Sequence, residues 1–450
     1  MRVIHRLVNW LDWPQIRDSL LLLGILTFSL PLKTPALQQM LESSTSISFP
    51  LKLSTYTLLL PPLLVLTTLI HWRRIPEVWN RLRIPLLILA CLFFWMWLGA
   101  WFSEWRAFSL KHAGRYSIHL VVFLTLLLLL SPTFAVNSVR TFILWFATLT
   151  GWTAANAYFW KTEDWLRIPN VIQNWGLQLE LFGWRLGETT SFFENRNPHA
   201  LVAVIVLLLS CWAISRKCWL SGAIGVSSSL WVLYVSGSRN GILGFLIVLL
   251  ILAVYGIQQL RNSSYCRLAL VFPIMVIGMG LLLLMMIPNQ ATSRLQQKID
   301  QILEVKNYDQ LEKREFRFVL YRTALETGWN HNSLFGGGPK TSGYMMAKHA
   351  DKPWQTILTQ NREIFNAHNA TLTLWLEMGW LGLLMSLAFL TEWFRIHKTV
   401  PWLILGGGVV LCLGQIFDYF IWQISFMTIQ SFAFALMAAT RVSSPQLNSE

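Results

Sequence analysis

The sequence predicts an all-α polytopic membrane protein of about twelve transmembrane helices, with a long helical outer loop between the ninth and tenth. Three observations carry that expectation. Of 450 residues, 54% are hydrophobic and only 13% are charged, roughly half the charged fraction of a soluble domain. Apolar stretches of about 20 residues recur along most of the chain, and in a bilayer each must be a helix, because a helix satisfies its own backbone hydrogen bonds. Lys and Arg recur at alternate connections, the asymmetry that sets orientation in a membrane.

In chain order, the start "MRVIHRLVNWLDWPQIRDSLLLLG" reads as a juxtamembrane helix entering the first span, since no small-residue cleavage site follows a short apolar run. Spans are expected at 19–31, 54–71, 84–102, 117–131, 139–158, 198–215, 219–236, 241–257, 267–287, 369–393, 401–417 and 421–440. The 24 Trp suit that many membrane interfaces. With the N-terminus in the cytoplasm, the inner connections hold Arg73, Arg74, Arg81 and Arg83, then Arg140, Arg216 with Lys217, Arg261 with Arg267, and Arg395 with Lys398. Arg441 follows the last span, so both termini are expected inside. The outer side then receives 103–116, 159–197, the tight turn "SGSRN" at 236–240 and the loop 288–368. The chain divides accordingly into 1–287, 288–368 and 369–450.

In the long loop, Leu295, Ile299, Ile302 and Leu303 follow helical spacing. A second helical stretch over about 310–327 places Arg314, Arg317 and Tyr321 on one face. "LFGGGPKTSG" then breaks the helix with Gly and Pro. No internal repeat or low-complexity linker is visible.

A net charge of +14 calls for nucleic acid, an anionic lipid surface or an anionic substrate. No nucleic-acid module is visible, which leaves membrane lipid and substrate. Cys91, Cys211, Cys218, Cys266 and Cys412 are scattered, without CxxC or His/Cys spacing. Neither a disulfide framework nor structural zinc is expected. No carboxylate cluster suggests a divalent metal.

Arg239, in "VSGSRNGILG", is compatible with a snorkelling interface anchor. Its outer position, where short-loop cations are disfavoured, and the flanking Gly237 and Gly241 equally suit a phosphate contact. Arg317, between Phe316 and Phe318 and sharing a face with Tyr321, is a second candidate; Arg314 and Arg322 also fit a solvated basic face with Glu312, Glu315 and Glu326. His368 stands beside Asn366 and Asn369 at the outer end of a span. Helical spacing puts it on one face with Thr371, Trp375, Gly379 and Gly382, towards protein rather than lipid. A helix N-terminus disfavours imidazolium, so His368 suits either a neutral base or a structural hydrogen-bonding role. Asn197, before Pro198 in "FFENRNPHA", is either a helix cap or a site residue. Asp418 in "QIFDYF" could orient His368 or merely shape a turn. Glu377 falls about opposite His368 and is left out of the site.

These residues resemble the O-antigen ligase and polymerase superfamily in three stretches: "SGSRNG"; Arg317 followed by Tyr321, Ala324, Leu325 and "SLFGGG"; and "HN", nine residues, then "GWLG", from His368 to Gly382. "ENRNPHA" is similar to the family too, though less specifically. "LFGGGP" departs from the family's more usual Pro before the apolar-Gly step. The resemblance implies a GT-C-like, inverting glycosyltransferase of the inner membrane, with its active site and long loop periplasmic. Its donor would be a glycan on undecaprenyl pyrophosphate and its acceptor the lipid A-core oligosaccharide, with no cofactor. It implies His368 as the base, Arg239 and Arg317 on pyrophosphate with Arg314 or Arg322 as substitutes, and Asn369, Asn366, Tyr321, Asn197 and Asp418 in support. A polysaccharide polymerase and an O-linked protein oligosaccharyltransferase share that pattern. A lipid-linked flippase would instead place charges deep in several spans.

Overall fold

The computed structural model describes residues 13–29, 55–159, 179–181, 184–186, 196–236, 238–261, 316–331, 334–360, 362, 366–397, 400–417 and 424–440. The expected span at 267–287, the helical stretch around Leu295–Leu303, Arg314 and Asp418 lie outside these residues.

The helices are α1 (Trp13–Phe28), α2 (Thr55–His71), α3 (Ile75–Phe102), α4 (Arg106–Leu129), α5 (Ala135–Phe159), α6 (Arg196–Ser215), α7 (Trp219–Ser236) and α8 (Arg239–Arg261). They continue as α9 (Phe316–His331), α10 (Ser342–His349), α11 (Lys352–Gln360), α12 (Ala370–Ile396), α13 (Trp402–Phe417) and α14 (Ile424–Thr440). The all-α expectation takes one amendment: a short antiparallel ribbon, β1 (Leu179–Leu181) and β2 (Trp184–Leu186), lies within the 159–197 segment, with Glu180 opposite Arg185.

Among the described residues, four stretches are long and apolar enough to cross a membrane: Leu59–Phe102, Arg106–Leu129, Asn197–Ser215 and Ala370–Ile396. Shorter apolar helices run over Trp219–Leu233, Gly241–Ala253, Trp402–Gln415 and Phe426–Thr440. The connection expected between 71 and 84 is itself helical. A 3₁₀ turn over Trp72–Arg74 leads directly into α3. The axis then kinks at Leu82 (φ −120°, ψ 16°), three residues ahead of Pro85. Pro85 lacks an N–H for the Arg81 carbonyl and its ring crowds that turn. Arg74 seals the neighbouring helix end, its guanidinium donating to the Leu128 carbonyl and, at 3.2 Å, to that of Leu130. Those carbonyls carry the negative end of the α4 dipole.

Position in the bundle follows from which faces are apolar. Residues 198–210 of α6 are buried on every side, as expected for a helix hydrophobic all round. α6 packs on α5, α7, α8 and α13. The Leu59–Phe102 stretch has 33% of its most apolar window buried, against 78% for Asn197–Ser215. Leu87, Phe94 and Trp97 point outward from α3, so this is a bundle edge that suits lipid contact.

Around the functional end, α12 packs along α3 while α9 and α10 pack on α12. α12 is not one continuous helix. Gly379 has φ 67° and ψ −173°, a left-handed conformation open to glycine and costly for other residues. A helix broken there leaves the carbonyls of residues 376–378 without their usual donors four positions on.

Candidate functional site

The "SGSRN" turn is held by its serines. Ser238 caps α8, its hydroxyl accepting from the Gly241 N–H at 3.2 Å and donating to Asn197 Oδ1 at 2.7 Å. Asn197 therefore ties α6 to the Arg239 turn, and the helix it was expected to cap starts one residue earlier, at Arg196. Gly241 faces α6: a Cβ there would sit 2.6 Å from Ala200 Cβ. Its missing side chain serves helix packing, where ligand approach was the expectation. Gly237 lies outside the described residues. Arg239 opens α8.

His368 sits just outside α12. Its φ is +46°, a left-handed conformation uncommon outside glycine that histidine adopts more readily than most side chains. Two asparagines shape the turn: Asn366 Oδ1 accepts the His368 N–H at 2.7 Å, and Asn369, the cap of α12, accepts the Leu372 N–H at 3.0 Å. The face expected by counting helical residues from His368 to Gly382 needs correction. The count starts on a non-helical residue and crosses the break at Gly379.

Arg317 stands in the first turn of α9, and the α-helix keeps Tyr321 on its face, four residues on. Tyr321 meets Phe318 edge-on with ring centroids 6.2 Å apart. Arg322 bonds Glu326 at 2.8 Å and Asp351 at 3.3 Å, linking α9 to the start of α11. Gly328 lets α9 press against Trp375 of α12, whose ring lies 2.8 Å from the place of a Cβ. The structure thus packs the Arg317 helix on the His368 helix. The Arg239 helix packs chiefly on α6, α7 and α13.

Sequence reasoning missed Glu377, which is buried and accepts two bonds from the segment after the glycine run. The Lys340 N–H reaches Oε2 at 2.9 Å and the Ser342 hydroxyl reaches Oε1 at 2.7 Å. The glycine run itself fills the break in α12. Gly337 N–H donates to Leu376 O and Gly338 N–H to Glu377 O, both at 2.8 Å. Trp95 Nε1 supplies the third bond, to Met378 O at 3.0 Å, and stacks on Phe335 at 4.4 Å. Gly336 (φ +70°) admits no side chain, because a Cβ would lie 2.5 Å from the Glu377 carbonyl carbon and the Gly379 nitrogen. A detectable signal was present in "LFGGG" and "EMGW": two glycine-bearing stretches with no assigned partner.

Beneath this assembly, α3, α4, α12, α13 and α14 line a largely apolar, partly open cavity of about 320 Å³. Pro339, Ala370, Thr371 and Glu377 line it at one end, so it reaches within two residues of His368. Deeper polar groups are His119, Ser431 and the bonded pair Gln415–Gln430, 2.6 Å apart. Such a space accepts a long apolar group.

No curated protein matches the chain. A family model described as O-antigen ligase matches residues 224–387, a stretch that holds Arg239, Arg314, Arg317, Tyr321, Arg322, Asn366, His368 and Asn369 as well as Glu377. Residues 224–387, with the Arg239 turn, the glycine loop and the His368 turn all inside them, are thus similar to the O-antigen ligase family.

Proposed function

We propose that the chain is a membrane glycosyltransferase that moves a glycan from undecaprenyl pyrophosphate to the lipid A-core oligosaccharide. The observation that carries the reading is the packing of α9 and the glycine loop onto the His368 end of α12, over an apolar cavity. That arrangement suits a substrate whose lipid portion stays in the membrane while its reacting end lies outside hydrocarbon. In this reading the bundle spans the inner membrane about twelve times, both termini are cytoplasmic, and the 288–368 loop and active site face the periplasm.

The reaction is a direct inverting displacement. His368 accepts the proton of the acceptor hydroxyl as its oxygen attacks the anomeric carbon. The bond from that carbon to the pyrophosphate oxygen breaks, and its electron pair leaves with the lipid pyrophosphate. Arg239 and Arg317 hold the departing group and offset its growing negative charge. Arg317 is favoured for its place on one helix face with Tyr321, while Arg322 ties α9 to Asp351. Asn366 and Asn369 fix the His368 turn, Tyr321 flanks Arg317, and Asn197 steadies the Arg239 turn.

The test supplies purified protein with a polyprenyl pyrophosphate-linked glycan and three separate acceptors: lipid A-core, a second lipid-linked repeat and a pilin-like protein. The reading expects product on lipid A-core. Product on the repeat makes the enzyme a polymerase, and product on the protein makes it an oligosaccharyltransferase.

A further inference from the structure

Glu377 is buried, lines the cavity and has no part in the displacement above. Both carboxylate oxygens are taken by the 336–342 segment. The same segment supplies two of the three donors that satisfy the break in α12. A second anchor comes from the opposite side, where the Ser103 hydroxyl donates to the Gly337 carbonyl. Within the loop the Thr341 hydroxyl closes onto Gly338 O at 2.6 Å. The result is a clamp in which the carboxylate holds the far end of the glycine loop and α12 main chain holds the near end.

What the clamp presents is a cation. Lys340 follows Pro339 with φ +65°, outside the regions a lysine ordinarily adopts. The bond from its N–H to Glu377 restrains that conformation. The loop lies against α4, where a Cβ on Gly338 would sit 2.3 Å from the Ser109 hydroxyl oxygen. The clamp therefore holds Lys340 next to the cavity rim, where Pro339 lines it.

We infer that Glu377 is a positioning residue that clamps the 336–342 loop to α12 and so places Lys340 to bind a phosphate-bearing substrate group. The inference rests on the transfer reading for its substrate, and on the loop geometry alone for the clamp. Glu377 exchanges no proton in the reaction; its oxygens only accept bonds. Glutamine keeps one carbonyl oxygen for the Lys340 N–H, and the Ser342 hydroxyl can turn to accept from the new amide. Alanine keeps neither bond.

The experiment compares wild type, Glu377→Gln, Glu377→Ala and Lys340→Ala in detergent micelles or nanodiscs, by hydrogen–deuterium exchange over 334–350 and by transfer kinetics at varied donor and acceptor. Glu377→Ala should lose amide protection across 336–342 and about 100-fold in kcat/KM, the scale of a misplaced group. Glu377→Gln should keep protection and stay within about tenfold of wild type. Lys340→Ala should keep protection and raise the KM of one phosphate-bearing substrate, with kcat little changed. Unchanged exchange in Glu377→Ala overturns the clamp. Normal kinetics in that variant despite lost protection overturns its bearing on the reaction. A protected but inactive Glu377→Gln makes the carboxylate a chemical participant and overturns the positioning role. An unchanged KM in Lys340→Ala removes the binding site. Wild type that transfers to none of the acceptors sinks the transfer reading, while the exchange comparison still decides the clamp.

Discussion

At the scale of single residues, the most informative side chain is His368, whose backbone is left-handed at φ +46°. Asparagine tolerates that conformation better than most residues. His368→Asn therefore separates turn from base: it should melt with wild type in detergent yet lose about 10²–10⁴-fold in transfer, the usual contribution of a general base. Melting well below wild type would make the histidine structural. Arg317 invites a second comparison. A lysine there keeps the charge but not the paired donors, so Arg317→Lys should recover only part of the rate that Arg317→Ala loses. Arg322→Ala, which breaks exposed ion pairs with Glu326 and Asp351, should cost at most about 1 kcal/mol of stability and leave donor KM near wild type. A donor KM shift in Arg322→Ala as large as that in Arg317→Ala would reverse the assignment.

At the scale of elements, the glycine loop and the break in α12 depend on each other. Gly336→Ala combines a φ of +70° with a Cβ 2.5 Å from α12 main chain. It should destabilise the outer assembly by about 1–3 kcal/mol or more, seen as early thermal release of 334–350 in limited proteolysis; an unchanged cleavage profile would contradict the docking. The helices themselves were legible in sequence, because apolar length is a local property: 370–396 against an expected 369–393, and 402–417 against 401–417. His368, Asn366 and Asn369 were legible as the edge of that span for the same reason, but the left-handed turn they form was not. Glu377 was not. Its place was judged by counting helical phase from a residue that is not helical, through a glycine that ends the helix. Its partners Lys340 and Ser342 lie 37 and 35 positions away, a separation no periodicity reveals. The role of Gly241 was misread similarly, since only the packed structure shows Ala200 opposite it.

At the scale of the whole molecule, the dimensions suit a bilayer. Trp79 and Trp101 project outward from α3, 46% and 55% exposed. Their 22-residue separation corresponds to about 33 Å of helix, close to the roughly 30 Å hydrocarbon core. Orientation is open to direct measurement. In a background lacking the five native cysteines, a cysteine in place of the exposed Gln355 of α11 should react with a membrane-impermeant maleimide in intact spheroplasts; reaction only after lysis would invert the proposed topology. The break in α12 bears on how this topology is secured. Carbonyls stranded in hydrocarbon cost several kcal/mol each, and here two of the three donors belong to a segment made about 40 residues earlier in the chain. In the proposed topology, when α12 enters the membrane its complement is already waiting on one side only. Entered the other way round, the helix would carry the same carbonyls to the side where no glycine loop exists. The break thus works as a key cut for a single lock, rewarding correct threading of the polypeptide during synthesis before any substrate is met.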